Sequence, residues 1–272
     1  MIGFAAMATI GIITGSGTYG LPGFEGSGPE PVSTEWGDAL ISRGRFAGTD
    51  VLHLSRHGEG HPRLSNHVTH RANIAALAAA GADAIIAVTV CGGVDPGLGL
   101  GTLVCFDDLH FVVNRLPDGS VCTFFAEAGD PRRGHWIYEG PYSAPLRAAL
   151  LAGAQAAGHP MRDGGCYGHV DGPRFNTRAE IRGLAACGVT AVSQTAGPET
   201  VLAGELELPY ALVGYVTDYA NGVAEQATPV ETLLEMMGRS TDVLAAVLAA
   251  ALPRIDLAAL APAGVVYRFG PG

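Results

Sequence analysis

Short apolar segments that each end in a glycine or a polar cluster recur along this chain of 272 residues. Such segments are typical of strands buried in the sheet of an α/β protein. They predict strands at residues 8–13, 51–55, 84–90, 103–106, 189–192 and 210–216. Helical spacing of apolar residues predicts helices at 68–80, 144–157, 177–187 and 228–252, the third closed by Gly188 and the last capped by Thr228. The alternation predicts an α/β sandwich around a mixed or parallel sheet.

Two stretches interrupt this alternation. Residues 22–48 and 115–140 are rich in glycine and proline, so we expect irregular excursions from the sheet there. The chain has no internal repeat, linker or shift in composition. We therefore predict one domain over residues 1–272, with 262–272 as a loose tail.

Composition excludes several functions. The formal net charge of −10 argues against a nucleic-acid surface. All 16 basic residues are arginine, which excludes a Schiff-base lysine and a P-loop lysine. No apolar run reaches the roughly 18 residues that span a bilayer, and residues 1–13 lack a basic region, so we expect neither membrane insertion nor secretion. Five cysteines without a C-x-x-C pair indicate reduced thiols in the cytoplasm.

Anion-binding and small residues follow five predicted strands. They occupy residues 15–17, 56–58, 89–92, 193–195 and 217–218. Ligands of open α/β sheets bind beyond the carboxyl ends of the strands, so these clusters predict one shared site. The guanidinium of Arg56 matches phosphate geometry, and the hydroxyl groups of Ser16, Thr89 and Thr195 add donors. Together they predict a cradle for a free oxyanion.

Simpler interpretations stand beside this one. Residues 15–17 alone fit a tight turn, and with Gly20 they also fit a dinucleotide fingerprint that lacks its acid about 20 residues on. Histidines at 57, 61, 67 and 70 suggest zinc, but glycines at 58 and 60 argue against a helix that presents them, so we expect no metal site. We expect Cys91 to line a pocket rather than act as a nucleophile.

Four segments carry a family resemblance. Residues 10–17, 56–58, 171–180 and 198–203 resemble, in this order, the methylthioadenosine phosphorylase branch of the trimeric purine nucleoside phosphorylases. The similarity extends from about residue 9 to 252. It implies a single-domain, three-layer α/β/α fold of the phosphorylase/hydrolase type with a mixed central sheet. It also implies a homotrimer that uses inorganic phosphate as co-substrate and no cofactor.

The resemblance assigns roles by position. Phosphate would be held by Ser16, Arg56, His57, Thr89, Val90 and Thr195. The nucleoside would be held by Cys91, Gly92, Phe175, Asn176, Gln194, Asp218 and Val230, with Asp218 as the catalytic acid. His135 would reach the 5′ end of a nucleoside bound by a neighbouring subunit.

Chemistry supports an acid at the purine. An N-glycosidic bond breaks through an oxocarbenium-like transition state, which a phosphate dianion stabilises and then attacks. The departing purine gathers negative charge, so a protonated Asp218 near N7 would accelerate the reaction. Asp218 also suits a 6-amino group, as an acceptor. The predicted reaction is phosphorolysis of a 5′-modified adenine nucleoside such as 5′-methylthioadenosine.

Three positions depart from the family pattern. Ser193-Gln194-Thr195 replaces the usual Asn-Met-Thr, and Ala220 replaces a second acid. These departures leave alternatives open: a 6-oxopurine or methylthioinosine phosphorylase, a nucleoside hydrolase on the same fold, or a catalytically impaired nucleoside-binding homologue. The 5′ substituent and the pathway are not predicted.

Overall fold

The computed structural model describes residues 8–269; residues 1–7 and 270–272 lie outside it. The strands are β1 Thr9–Thr14, β2 Glu25–Gly26, β3 Glu30–Thr34, β4 Gly37–Phe46, β5 Thr49–Ser55, β6 Ala84–Gly93, β7 Leu103–Cys105, β8 Asp108–His110, β9 Gly134–Ile137, β10 Met161–Asp163, β11 Cys166–His169, β12 Val189–Ser193, β13 Tyr210–Tyr219 and β14 Val265–Arg268. The α-helices are α1 His70–Ala79, α2 Ala144–Ala156, α3 Arg178–Ala186, α4 Ala196–Glu205 and α5 Val230–Ala251. Short 3₁₀ helices occupy Ser65–His67, Leu252–Arg254 and Leu257–Ala259.

Most strands belong to one mixed sheet. Its path is β10-β7-β13-β6-β1-β5-β4-β2. The central strands β13, β6, β1 and β5 are parallel. β7 runs antiparallel to β13 but parallel to β10, and β4 runs antiparallel to β5 and β2. At its carboxyl end β6 also pairs with β12, in antiparallel register at Gly92 and Gly93. The predicted mixed central sheet is confirmed.

Helices cover both faces of this sheet. Ile85 and Ala87 of β6 pack in one core with α1 and α4. Ile86 and Val88 pack in a second core with α2 and α5. Successive side chains of a strand point to opposite faces, so a continuous apolar strand feeds both cores. The predicted three-layer α/β/α fold is confirmed.

Two predictions of irregular chain are wrong. Residues 22–48 include β2, β3 and β4, and Gly37, with φ +103°, follows the turn that joins β3 to β4. The predicted loose tail contains β14, which pairs antiparallel with β9. The register brings Val266 opposite Trp136, and the buried Val266 side chain anchors the ribbon. The rest of that tail, residues 270–272, lies outside the described residues.

One predicted helix end is confirmed and one predicted helix cap is wrong. Thr177 caps α3 in a capping box with Glu180, and Gly188, with φ +82°, follows its end as predicted. The predicted cap of α5 is wrong: Pro229 is the N-cap, and the Thr228 hydroxyl accepts from the Tyr219 N–H instead. Among residues 8–269, no helix is long and apolar enough to cross a membrane.

Candidate active site

The five strand-end clusters meet at one cavity of about 310 Å³. It lies at the carboxyl ends of β1, β5, β6, β12 and β13, where the sequence predicts a shared site. Its volume is at the lower end of the range of small-molecule pockets, roughly 300–1,000 Å³. The predicted site residues on its wall are Ser16, His57, Thr89, Val90, Cys91, Gly92, Phe175, Asn176, Gln194, Thr195 and Asp218.

Three predicted residues lie elsewhere. Arg56 is buried behind the wall. Val230 is the exposed first residue of α5. His135 lies on β9 and lines a second depression, of about 480 Å³, with Trp136 and Glu205. The direct ligand contacts of these three residues stay predictions.

Arg56 is held by a buried carboxylate. Its Nε and Nη2 donate to the two carboxylate oxygens of Glu199 at 2.6 and 2.9 Å, and its Nη1 donates to the Val88 carbonyl at 2.8 Å. Tyr210 donates a further hydrogen bond to Glu199 at 3.1 Å. Burial opposes the charge on Arg56, but Glu199 more than offsets that effect and raises the pKa of Arg56. The guanidinium therefore stays charged beside the phosphate end of the cavity.

A glycine lets that guanidinium approach the first strand end. A Cβ atom at Gly15 would lie 2.3 Å from Nη1 of Arg56. Arg56 uses three of its five N–H groups on Glu199 and Val88. One of the remaining donors lies on Nη1, the nitrogen next to Gly15. Glycine at 15 is thus required by close packing of an arginine against the backbone.

His57 presents a neutral imidazole to the cavity. Its Nδ1 lies 2.8 Å from the Arg63 carbonyl, which accepts, so Nδ1 carries the proton and Nε2 a lone pair. Burial, followed by the nearby Arg56 charge, lowers the pKa of His57 to about 4. His61 stacks on it with ring centroids 4.2 Å apart, and Tyr19 lies 2.8 Å from Nδ1 of His61. His57 is therefore poised to accept a hydrogen bond from a protonated oxyanion.

The phosphate end also contains hydroxyl groups and a helix N-terminus. The Thr89 and Ser193 hydroxyl oxygens lie 3.2 Å apart and join the ends of β6 and β12. Thr195 is the N-cap of α4, and the N–H groups of Thr195 and Ala196 donate to the buried Tyr167 hydroxyl. Because Thr195 lines the cavity, the positive end of the α4 dipole lies beside a wall with Ser16 and Thr89, an arrangement that favours an anion.

At the other end of the cavity, Asp218 is the acidic group. Its side chain is 9% exposed, and Oδ1 accepts a hydrogen bond from the Thr217 hydroxyl at 2.9 Å. Burial raises the pKa of this carboxyl above its usual range, and the Thr217 hydrogen bond opposes the shift. A Cβ atom at Gly92 would lie 3.1 Å from Oδ2, so glycine leaves that oxygen accessible.

The other side chains of the wall near Asp218 are uncharged, and some are apolar and some polar. Phe175 is 60% exposed and presents an aromatic ring to the cavity. Cys91 is buried, and burial raises the pKa of its thiol, so it remains protonated and lines the pocket. Asn221 donates from Nδ2 to the Asn176 carbonyl at 2.7 Å, which fixes the base of the aromatic wall.

Sequence reasoning missed several residues of this site. Ser65, Asn221, Leu233 and Met237 line the cavity but lie in loops or on helix faces without a recognisable signal. Glu199 occurs in one of the family-like segments. Its role as the partner of Arg56 is not visible in the sequence, because the two residues are 143 positions apart and meet only in the folded chain. His61 both stacks on His57 and lines the cavity.

Comparisons with known proteins identify the family. Residues 9–253 match the phosphorylase superfamily. The 6-oxopurine nucleoside phosphorylase of Pyrococcus furiosus is 34% identical over 254 residues, covering 92% of this chain and 94% of the relative. A probable S-methyl-5′-thioinosine phosphorylase of Pseudomonas syringae pv. tomato is 37% identical over 250 residues, covering 90% and 100%.

Solved structures of phosphorylases have the same fold as this chain. The structure of methylthioadenosine phosphorylase from Schistosoma mansoni in complex with adenine superposes with a TM-score of 0.81 at 26% identity, covering 92% of each chain. Fold, strand-end cavity and sequence similarity thus define a phosphorylase. The chain belongs to the phosphorylase superfamily, so the resemblance and the enzyme class predicted from its sequence are confirmed.

Proposed function

We propose that the protein cleaves the N-glycosidic bond of a purine nucleoside with inorganic phosphate. The proposed substrate is a 5′-modified adenine nucleoside such as 5′-methylthioadenosine, and the products are the free base and a 5-modified ribose 1-phosphate. One observation carries the proposal: a buried carboxyl, Asp218, shares a cavity with the oxyanion cradle that includes Ser16, His57 and Thr195. The cavity thus has an acid for the base and donors for the nucleophile.

The phosphate end supplies the nucleophile. Phosphate held by the hydroxyl groups and by the α4 N-terminus, with the Arg56 charge behind them, lies on the side of the cavity opposite Asp218. Its negative charge stabilises positive charge at the anomeric carbon as the bond to the purine nitrogen breaks. A phosphate oxygen then bonds to that carbon. The electron pair of the broken bond leaves with the purine.

Asp218 neutralises the negative charge that develops on the leaving purine. Its raised pKa favours retention of a proton, which it donates to N7 as negative charge accumulates there. The same carboxyl group accepts a hydrogen bond from an exocyclic 6-amino group. Phe175 provides an aromatic surface for the ring. These groups support an adenine nucleoside as substrate.

A 6-oxopurine substrate is the second candidate. Its support comes from the relatives named for 6-oxopurine and methylthioinosine substrates. Ala220 also lines the cavity near Asp218, where a second acid would otherwise oppose a 6-oxo group. The two candidates differ in which atom at purine position 6 meets Asp218.

We also propose a homotrimer in the cytoplasm, with phosphate as co-substrate and no metal or organic cofactor. Exposed apolar side chains of the β9–β14 ribbon, Ile137, Val265 and Tyr267, support an interface next to His135. In this assembly His135 would cover the 5′ end of a nucleoside in the adjacent subunit.

A nucleoside panel tests the function. Adenosine, 5′-methylthioadenosine, inosine and 5′-methylthioinosine are incubated with and without phosphate, and free base and sugar 1-phosphate are quantified. We expect equal amounts of both products, and only with phosphate. Equal base release without phosphate would overturn phosphorolysis in favour of hydrolysis.

A further inference from the structure

The Gln194 side chain bridges two separate segments at the cavity. Ser65, in the 3₁₀ helix Ser65–His67, donates from Oγ to Oε1 of Gln194 at 2.8 Å. Nε2 of Gln194 donates to the Arg174 carbonyl at 3.1 Å. Ser65 and Gln194 both line the cavity, as do Pro173 and Phe175 on either side of Arg174. One amide thus joins the end of β12 to both flanking segments.

Gly172 packs directly on this bridge. A Cβ atom at that position would lie 1.9 Å from Oε1 of Gln194 and 2.2 Å from Oγ of Ser65. Both atoms belong to the hydrogen bond itself, so a larger residue could be accommodated only by separating them. The backbone of the segment 170–176 therefore closes against the bridge because residue 172 is glycine.

The bridge holds the segment between two outer anchors. At one end the Val170 N–H donates to the Ser193 carbonyl at 3.1 Å. At the other end Asn221 holds the Asn176 carbonyl. Arg174 also forms an ion pair with Glu180, but this pair is exposed to solvent and therefore contributes little to the position of the segment. The Gln194 amide ties the middle of the segment, next to Phe175, to the sheet.

Only a primary amide suits both contacts. Its oxygen accepts from Ser65 while its nitrogen donates to a carbonyl. Glutamate would keep the acceptor but set a carboxylate oxygen against the Arg174 carbonyl. Methionine would fill similar space and offer neither contact. The side chain at 194 therefore decides whether the aromatic wall of the cavity is tied down.

We propose that Gln194 is a positioning residue that clamps the segment 170–176 and thereby sets the placement of Phe175 against the purine. The purine's contact with Phe175 rests on the proposed function. The clamp acts on nucleoside binding and not on the phosphate cradle, because the segment it ties contributes Pro173 and Phe175 to the wall, whereas phosphate is assigned to the opposite end. The affinity for nucleoside then depends on the hydrogen bond between Gln194 and the Arg174 carbonyl, which does not itself contact the nucleoside.

Four variants test the clamp. Gln194→Glu and Gln194→Met break the bond to Arg174, Ser65→Ala removes the second contact, and Gly172→Ala forces the bridge apart. Gly183→Ala on α3 is the matched control, because a Cβ atom there meets no atom within 4 Å. The readouts are KM for nucleoside, KM for phosphate, kcat, and amide hydrogen exchange of residues 171–176.

We expect Gln194→Glu and Gly172→Ala to raise the nucleoside KM about three- to tenfold, the size of one lost hydrogen bond. In Gly172→Ala, which adds no charge, the phosphate KM should stay within about twofold. Exchange in 171–176 should accelerate in both, and less so in Ser65→Ala, while Gly183→Ala should match the wild type. Unchanged nucleoside KM and exchange in Gln194→Glu and Gly172→Ala would overturn the clamp. Exchange is measured without substrate, so it decides the clamp even if base release proves independent of phosphate and the proposed function fails.

Discussion

Arg56 and Glu199 form a two-point ion pair that is almost completely buried, with N–O distances of 2.6 and 2.9 Å. Glu199 lies on α4, whose N-terminus faces the cavity, so one helix both orients the arginine and contributes its dipole. Isolated charges are expensive to bury, and the pair is stable because each partner supplies the other's countercharge. The phosphate end of the cavity thus depends on a carboxylate that does not line it.

Glu199→Gln should weaken phosphate binding and the fold together. Arg56 would remain buried without a countercharge, a change that costs about 3–5 kcal/mol when one partner of a buried pair is removed. We expect a lower melting temperature and a higher phosphate KM, with the nucleoside KM less affected. Glu35→Gln, which disrupts the exposed pair with Arg132, is the matched control and should leave both unchanged. A wild-type phosphate KM in Glu199→Gln would contradict the role given to this pair.

Asp218→Asn should change base preference. In the wild type we expect kcat/KM for 5′-methylthioadenosine to exceed that for 5′-methylthioinosine by about ten- to a hundredfold, because a 6-oxo group leaves a buried acceptor unpaired. The amide of the variant can donate to a 6-oxo group, so the preference should narrow or invert. A wild type that prefers the inosine analogue would refute Asp218 as the reader of a 6-amino group.

The same variant should be more stable at neutral pH. The folded-state pKa of Asp218 is raised, so its contribution to stability is present below the unfolded pKa and is lost as pH rises through the folded pKa. At pH 7 burial of this ionisable carboxyl group opposes folding, and asparagine, which does not ionise, removes that cost. We expect a higher melting temperature for Asp218→Asn at pH 7 and a smaller difference near pH 4. A variant less stable than the wild type at pH 7 would argue against a buried, destabilising carboxyl.

Acid should destabilise the fold through buried histidines. Burial lowers the pKa of His53 and His57 to about 4 and of His70 and His169 to about 3. Their contribution to stability is present above the unfolded value, about 6.5, and is lost as pH falls toward 4 and then 3. Urea unfolding between pH 7 and 4 should show this decline, and His70→Leu should make it shallower. If the free energy of unfolding of His70→Leu falls with pH as steeply as that of the wild type, His70 is not a neutral histidine that resists protonation in the folded state.

Phosphate should raise the pKa of His57. The Nε2 lone pair faces the cradle, and a bound phosphate would favour the imidazolium. In ¹⁵N NMR of histidine-labelled protein, the His57 titration should move upward from about pH 4 when phosphate is saturating. Chloride at equal ionic strength is the control. If phosphate leaves the pKa of His57 unchanged, His57 does not contact phosphate.

Mixed assemblies should test the role of His135. His135→Ala should impair use of 5′-methylthioadenosine, and Asp218→Asn should impair cleavage of adenine nucleosides. If His135 acts in a neighbouring subunit, trimers assembled from both variants contain some sites with both native residues, and activity should exceed that of either variant alone. Activity equal to the mean of the two homotrimers, or a fully active monomer in sedimentation, would refute the shared site.

The extent of sequence-based prediction differs between elements. β1, β5, β6 and β13 each contain a short, mostly apolar run that ends in a polar cluster, so their positions and the shared site follow from local pattern. Helix α4 was missed because Ala196–Leu202 is buried on nearly every side and has no amphipathic period. The β3–β4 hairpin was missed because its glycines and prolines resemble those of a loop.

The sequence by itself determined the α/β class, the strand-end location of the site and the polar clusters that form part of its wall, because these depend on periodicity and on chemistry within a few adjacent residues. Tertiary structure alone decided which distant groups meet. Glu199 reaches Arg56, Ser65 reaches Gln194, and β14 pairs with β9 only after the chain has packed. Such contacts depend on the fold's geometry across 128 to 143 residues rather than on local preference, and the first two determine how the cavity is held.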